Sequence, residues 1–371
     1  PIHTINLSLP PRQRYCALAN TYRHEVATLP PLFDALIART SLPPRAVKAL
    51  ARVFLHRLHD VEQTEELRGM SDISGVPMWL LVAFNVLLDA MMGCSSGGVR
   101  INDGPRDNGR MVHFRTLDWD MDELRRVVVC LEFVEYEGGP VVATTVTYVG
   151  HVGVLTGVRR GLSVSLNFRA FRNDPDSRIA SARYYWHIFL VMLGFRASIA
   201  SILRQLIVPP MPQKDWKPLV LADIVKILPV MLTTACYLIF CDGKRTAIIE
   251  KDRVSGAIRE TDQFSAVTNH DFNHEEDLAR EEVQKLMHER AKEAPLGMAD
   301  LLDESLDRRD FIEECHLKST EIQSTGYPRQ ARMKDVQTWL ETYPVLNECT
   351  QYAVVMDPQE GTISWMKKWN Q

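Results

Sequence analysis

What this 371-residue sequence lacks narrows its reading before anything it contains. It has no CxxC pair. Its seven cysteines, at positions 16, 94, 130, 236, 241, 315 and 349, are odd in number and scattered. That spacing excludes a conventional zinc site and a dense disulfide framework, and leaves at least one thiol free. There is no excess of positive charge. The net charge is −4, so no polycationic face points to nucleic acid. There is no internal repeat and no low-complexity linker. The chain begins at Pro1 rather than Met, so the lack of a signal peptide decides nothing about a leader. One sequon, Asn6-Leu7-Ser8, is weak evidence for secretion. With 46% apolar and 24% charged residues, the composition is that of a globular protein with an ample core in one or two domains.

What is there centres on Met91-Met92-Gly93-Cys94-Ser95-Ser96-Gly97-Gly98. A cysteine follows a glycine, and small residues on both sides leave its thiol uncrowded. The glycines permit unusual backbone angles. The segment can expose a reactive sulfur, or hold a buried structural cysteine before a flexible loop.

An extended lead-in over residues 1–11 precedes a helix expected from Arg12 to Thr28, and shorter ones from Leu32 to Arg39 and Ala46 to Leu58. Ser71-Asp72 offers a cap, and Pro77 suits the first turn of a helix running to about Met92. That helix is apolar nearly all round, which suits a buried position; a membrane span is the alternative, set back by Asn85, Asp89 and a short length. After Cys94 the period changes. Val112 to Trp119, Arg126 to Tyr136, Val141 to Val149 and Gly161 to Phe168 are rich in β-branched and aromatic residues. Arg183 to Val208 reads as a pair of buried helices or, more sharply, as an apolar surface for lipid. Leu219 to Leu232 is helical. Strands follow at 235–250, 253–260 and 264–268, then a charged helix at 273–293, a helix at 333–343 and a terminal hairpin. Helices first and sheet afterwards make an α+β protein, with its one plausible division at Cys94.

These residues resemble the family of acid ceramidase and N-acylethanolamine-hydrolysing acid amidase. Ile2 to Arg14 is similar to its opening, and Gly75-Val76-Pro77, Asn85 and Gly93-Cys94 follow at matching intervals. Arg115-Thr116-Leu117-Asp118 is similar to the family's Arg-x-x-Asp strand, and Tyr148 to Gly157 is the most specific match. Thr268-Asn269-His270-Asp271, Leu306-Asp307-Arg308-Arg309 and Pro344 to Asn347 also fit. The resemblance implies an N-terminal-nucleophile hydrolase: an αββα sandwich preceded by a mostly helical N-terminal segment. It implies self-cleavage between Gly93 and Cys94 into chains 1–93 and 94–371 that stay together. It implies a lipid amide as substrate and no cofactor. The family setting is lysosomal, vacuolar or secretory; the residues leave a cytoplasmic one open.

By the same resemblance, Cys94 is the nucleophile, Arg115 lowers its pKa, Asp118 binds its α-ammonium, Asn269 supplies an oxyanion donor through its side chain, and Arg308 completes the site, Arg309 being the alternative to Arg308. On its own sequence, within Thr268-Asn269-His270-Asp271, Asn269 reads rather as a turn residue. Arg115 and Asp118 are three apart on a strand, so they point to opposite faces unless a bulge intervenes. Asn167, Trp186, Phe189 and Leu193 are candidate substrate-binding residues, and a membrane or micelle surface is the expected partner. No metal is expected: Asp118-x-Asp120-x-Asp122 fails as a calcium loop, with Glu123 at its sixth position and Val129 at its twelfth. Phe168 replaces a glutamate of the family's Asn-Glu-Arg run, which casts doubt on efficient self-cleavage. Ceramide is the first substrate expected and N-acylethanolamines the second; a penicillin- or bile-salt-type acylase and an uncleaved lipid-binding pseudoenzyme are the competing readings.

Overall fold

The computed structural model describes residues 1–28, 30, 31, 33, 34, 43–87, 93–104, 109–169, 173, 177–211, 216–271, 298–320 and 330–369. The charged helix expected at 273–293, most of that at 32–39 and the end of the one reaching Met92 lie outside these residues.

The lead-in is a strand, β1 (Ile2–Asn6), which pairs in parallel with β4 (Val128–Val134). The N-terminal segment therefore donates a strand to the later sheet. Where one helix was expected from Arg12 to Thr28, three short ones form: α1 (Pro11–Arg14), α2 (Cys16–Thr21) and α3 (Arg23–Val26). They are followed by α4 (Pro44–Phe54), α5 (Val61–Ser74) and α6 (Met78–Leu87). Helix α5 was not expected. Asp60 caps it by accepting from the Gln63 amide, and Gly75 ends it at φ 75°. Ser71 and Asp72, expected to cap the next helix, lie inside α5 instead. Leu80, Leu81, Val82 and Ala83 of α6 are buried, and no helix among the described residues is long and apolar enough to cross a membrane.

Eight strands make one antiparallel sheet apart from β1, in the order β1, β4, β5 (Val141–Tyr148), β6 (Thr156–Arg159), β7 (Leu162–Phe168), β8 (Cys236–Cys241), β9 (Thr246–Lys251) and β10 (Gly256–Thr261). The second sheet runs β11 (Phe264–Val267), β2 (Gly93–Ile101), β3 (Arg110–Asp118), β12 (Thr350–Asp357) and β13 (Thr362–Lys368). Side-chain alternation stacks the two sheets. Cys94, Leu117, Tyr352, Val354 and Met356 share a core with Val146, Val164 and Leu238 of the larger sheet. Val99, Val112, Phe114 and Val355 point the other way, onto α10 (Met298–Thr320) and α11 (Met333–Leu340) through Ile312, Val336 and Trp339. Helix α7 (Arg178–Met192) packs on α6, and helices α8 (Ile199–Ile207) and α9 (Leu221–Ile227) pack on the larger sheet. The result is α+β with helix, sheet, sheet and helix in layers.

Two sequence expectations change here. The stretch after Cys94 is not a loop: Gly93 to Ile101 pairs in register with the whole of β3, Gly93 facing Asp118 and Cys94 facing Leu117. Its glycines serve close packing. A Cβ on Gly97 would stand 2.1 Å from the Ser265 carbonyl oxygen, and one on Gly98 1.8 Å from Thr246 Oγ1. The 183–208 stretch also divides. Every residue of α8 except Gln205 is buried, whereas only His187 and Val191 of α7 are.

Candidate active site

Cys94 is fully buried between the sheets, and its two reactive atoms face different surroundings. The sulfur lies on the inner face. Arg115, two residues from Leu117 on the same face of β3, donates Nη2 to Cys94 Sγ at 3.4 Å. Its Nη1 donates to the Leu155 and Leu166 carbonyls at 3.0 and 2.7 Å. Those two bonds anchor the guanidinium to the facing sheet, so its position beside the sulfur is set by backbone rather than by the thiol. The electrostatic balance is not the simple depression expected. Burial pushes the Cys94 thiol up, and Arg115, which pulls it down, does not outweigh that effect.

The nitrogen faces a side-chain network. The Cys94 N–H donates to Asn269 Oδ1 at 2.8 Å. The same oxygen accepts from Arg308 Nη2 at 2.9 Å, and Arg308 Nη1 donates to Asp118 Oδ2 at 2.8 Å. Thr350 Oγ1 donates to the other Asp118 oxygen at 2.8 Å. Asp118 thus points outward to α10 while Arg115 points inward, as their spacing demands. They still flank one residue, because Cys94 sits on the neighbouring strand with an atom toward each. The irregularity lies in β12: its register shifts between Thr350 and Tyr352, which puts Thr350 opposite Asp118 and Tyr352 opposite Leu117. Burial raises the Asp118 carboxyl and Arg308 opposes the rise. Arg308 rather than Arg309 reaches the site; Arg309 donates to Glu313 at 2.9 Å.

Asn269 is held on every side. Its backbone N–H donates to Ser305 Oγ at 2.7 Å and its Nδ2 to the Phe168 carbonyl at 2.9 Å. In this uncleaved chain its oxygen holds the cysteine nitrogen and its amide group is already engaged.

With this geometry in place, sequence comparison adds a lineage. A family model described as the beta subunit of N-acylethanolamine-hydrolyzing acid amidase matches residues 1–59. Mouse acid ceramidase is 30% identical over 188 residues, covering 46% of this chain and 45% of that protein. The Caenorhabditis elegans N-acylethanolamine-hydrolyzing acid amidase is 30% identical over 178 residues, covering 45% and 47%. Over these stretches the chain is similar to acid ceramidase and to N-acylethanolamine-hydrolyzing acid amidase. Its matches span about half the length of these relatives. A solved structure of the C. elegans amidase ortholog is also similar, at TM-score 0.48 and 20% identity, over 72% of this chain and 93% of that one.

At the family's Asn-Glu-Arg position, Asn167 is a brace rather than an open contact. Its Oδ1 accepts from Ser96 Oγ at 2.7 Å, and its Nδ2 donates to the Val267 and Thr268 carbonyls at 3.2 Å. Phe168 contributes main chain, and Arg169 forms a two-pronged ion pair with Asp271 at 2.6 Å. Trp186 and Phe189 do not join Cys94: they lie on the protein surface, 57% and 37% exposed, with Leu193 half-buried after the end of α7. Phe189 meets Phe54 of α4 edge-on at 6.4 Å, so α4 and α7 present one apolar face that also carries Leu50, Val53 and Tyr185. Sequence reading missed Thr350 and Ser305, lone hydroxyls in unremarkable stretches. It placed Asn85 in a motif without a role; Asn85 donates to the Gly150 carbonyl at 2.7 Å and accepts from the Val152 N–H at 2.8 Å, so α6 holds the loop after β5.

Proposed function

We propose that this chain is an amidohydrolase of lipid N-acyl amides, ceramide first and N-acylethanolamines second, with Cys94 as a nucleophile that becomes N-terminal by self-cleavage. The observation that carries the reading is the separate gripping of the two atoms of Cys94: Arg115 at the sulfur, Asn269 with Arg308 and Asp118 at the nitrogen. Any buried peptide N–H needs an acceptor, but here the acceptor is a side chain tied to Arg308 and through it to Asp118, which a structural cysteine does not require.

In maturation the thiol adds to the Gly93 carbonyl, the peptide nitrogen leaves as an amine, and water hydrolyses the thioester. The freed α-amine emerges where Asn269 Oδ1 already accepts, with the Asp118 carboxylate beside it. An α-amine has a reference pKa of about 7.7–8.0, so it can take the thiol proton near neutrality. One residue then supplies both nucleophile and general base. The thiolate adds to the amide carbonyl of the substrate. The ammonium protonates the departing amine, the acyl group stays on sulfur, and water releases it as a fatty acid. Chains 1–93 and 94–371 would remain joined through the β1–β4 pairing and by Glu66 of α5, which accepts from Arg204 of α8 at 2.6 Å. The match of residues 1–59 to a family model named for a beta subunit supports this two-chain form.

The apolar face of α4 and α7 supports a substrate taken from a membrane or micelle, since large exposed patches usually have a use. The test is a panel of ceramide and N-acylethanolamine with matured protein and with Cys94→Ala. Fatty acid released by the parent and not by the variant is expected. Equal release by both would contradict the nucleophile, and no release from either lipid would contradict the substrate class.

A further inference from the structure

Tyr148, the last residue of β5, is fully buried, and its hydroxyl has no hydrogen-bond partner among the described residues. A buried donor without an acceptor is costly unless an acceptor arrives later. Tyr148 shares the buried core between the sheets with Cys94, Leu117 and Tyr352, within electrostatic reach of Arg115 and Asp118. Its ring is fixed from two sides by edge contacts at 6.2 Å, one with Trp119 beyond β3 and one with Phe84 of α6.

The other polar groups around Cys94 are committed. The Arg115 terminal nitrogens serve the sulfur and two carbonyls, the Asn269 amide serves Phe168, Arg308 serves Asp118 and Asn269, and the Tyr352 hydroxyl pairs with Thr156 at 2.8 Å. Arg115 Nε is also without a partner among the described residues, but its guanidinium is tied down by three bonds at its far end. The Ser95 and Thr116 hydroxyls and Arg308 Nε also lack a partner among the described residues. Ser95 and Thr116 stand opposite each other in the β2–β3 register, one position out of phase with Cys94 and Leu117, and so face away from the sulfur, and Arg308 is held at its far end by Asp118 and Asn269. A phenol keeps its ring in place and turns only its O–H, so it can adjust to an incoming oxygen.

We propose that the Tyr148 hydroxyl is a catalytic hydrogen-bond donor to the acyl carbonyl oxygen attacked by Cys94. The inference rests on the assignment of Cys94 as nucleophile. As sulfur adds to the carbonyl carbon, the carbonyl π electrons move onto oxygen, and the phenol O–H stabilises that oxygen without giving up its proton. Burial holds the phenol well above its ordinary pKa, so it remains a donor across the working range. When the C–N bond breaks, the electrons return to the carbonyl and the amine leaves with the ammonium proton.

The test uses the self-cleaved protein and Tyr148→Phe, which removes one oxygen. Two reagents report on Cys94 by mass spectrometry: the p-nitrophenyl ester of a fatty acid, which must pass through an oxyanion, and iodoacetamide, which does not. Ester acylation is expected to fall on the order of 10²-fold in Tyr148→Phe, with iodoacetamide alkylation changed less than about twofold and the melting temperature not lowered. Acylation within about threefold of the parent would overturn the proposal. So would a parallel loss with both reagents, which would place the effect on the thiol or the fold. Cys94→Ala separates the two assignments. Undiminished amide hydrolysis in that variant removes the nucleophile itself, whereas normal acylation of Cys94 in Tyr148→Phe removes only the hydroxyl's role.

Discussion

Cys94 and Phe189 occupy opposite kinds of apolar environment. Cys94 lies in the dry space between two sheets, yet Arg115, Asp118, Asn269 and Arg308 are gathered around it, each buried and each bonded. Phe189 lies on a helix with few buried residues, beside aromatic side chains that are largely exposed among the described residues. In the first region polar groups are expensive and most are therefore paired, the Tyr148 hydroxyl standing out as one that is not among the described residues; in the second, apolar groups are exposed and unarranged. The difference teaches where each kind of substitution should be felt. Between the sheets a lost partner strands a charge, while on α7 a new charge meets water.

The most damaging change should be Arg308→Ala. It leaves the Asp118 carboxylate without its buried guanidinium and Asn269 Oδ1 without one of two donors. A loss of about 3–5 kcal/mol in denaturant unfolding is expected, with no self-cleaved product on a denaturing gel. A fold as stable as the parent's would mean that the nitrogen side of Cys94 is not one network.

Arg115→Lys comes next. It keeps the charge but not the planar fork that serves Leu155, Leu166 and the sulfur together. One charge-assisted bond is worth about 1.5–3 kcal/mol, so the Cys94 thiol should titrate at least about one unit higher. The pH dependence of its alkylation measures this, and an unmoved profile would detach Arg115 from the sulfur.

Acidification addresses the interior as a whole. Burial lowers His113, His151 and His270 to about 3. Their folded values lie below the unfolded 6.5, so the unfolded chain binds more protons between these limits. Stability should be complete above about pH 6.5 and decline as pH falls toward 3, on the order of 1–2 kcal/mol for each imidazole by pH 5. Urea midpoints that rise on going from pH 7 to pH 5 would contradict this.

Phe189→Glu should have the smallest effect on stability, within about 0.5 kcal/mol, because the new carboxylate faces solvent. Its effect should appear in use: activity on micellar ceramide falls while activity on a short soluble acyl amide holds. Equal loss on both, with a lowered melting temperature, would make α7 part of the core and erase the contrast.

These regions were unequally legible in the sequence. The strand spacing of Arg115 and Asp118 already placed them on opposite faces, and the α+β order followed from the change of period at Cys94. The small residues after Cys94 misled, because glycines that let β11 and β9 approach look the same as glycines in a loop. Helix α5 was missed because its buried face carries Gln63, Thr64 and Glu66, which periodicity counts as polar; Arg14 and Arg204 make that burial tolerable by pairing with Glu66. Helices α7 and α8 are both apolar, and only their neighbours decide that one is covered and the other is not. Asn269 and Arg308 meet because β11 and α10 both lie against β2, a placement that no local pattern contains.

The central claim is that Cys94 becomes the first residue of a separate chain. N-terminal sequencing of the purified large fragment tests it most directly. The account predicts a chain beginning Cys-Ser-Ser-Gly, present in the parent and absent in Cys94→Ala. A parent that remains whole, or a fragment that begins at any other residue, would contradict it.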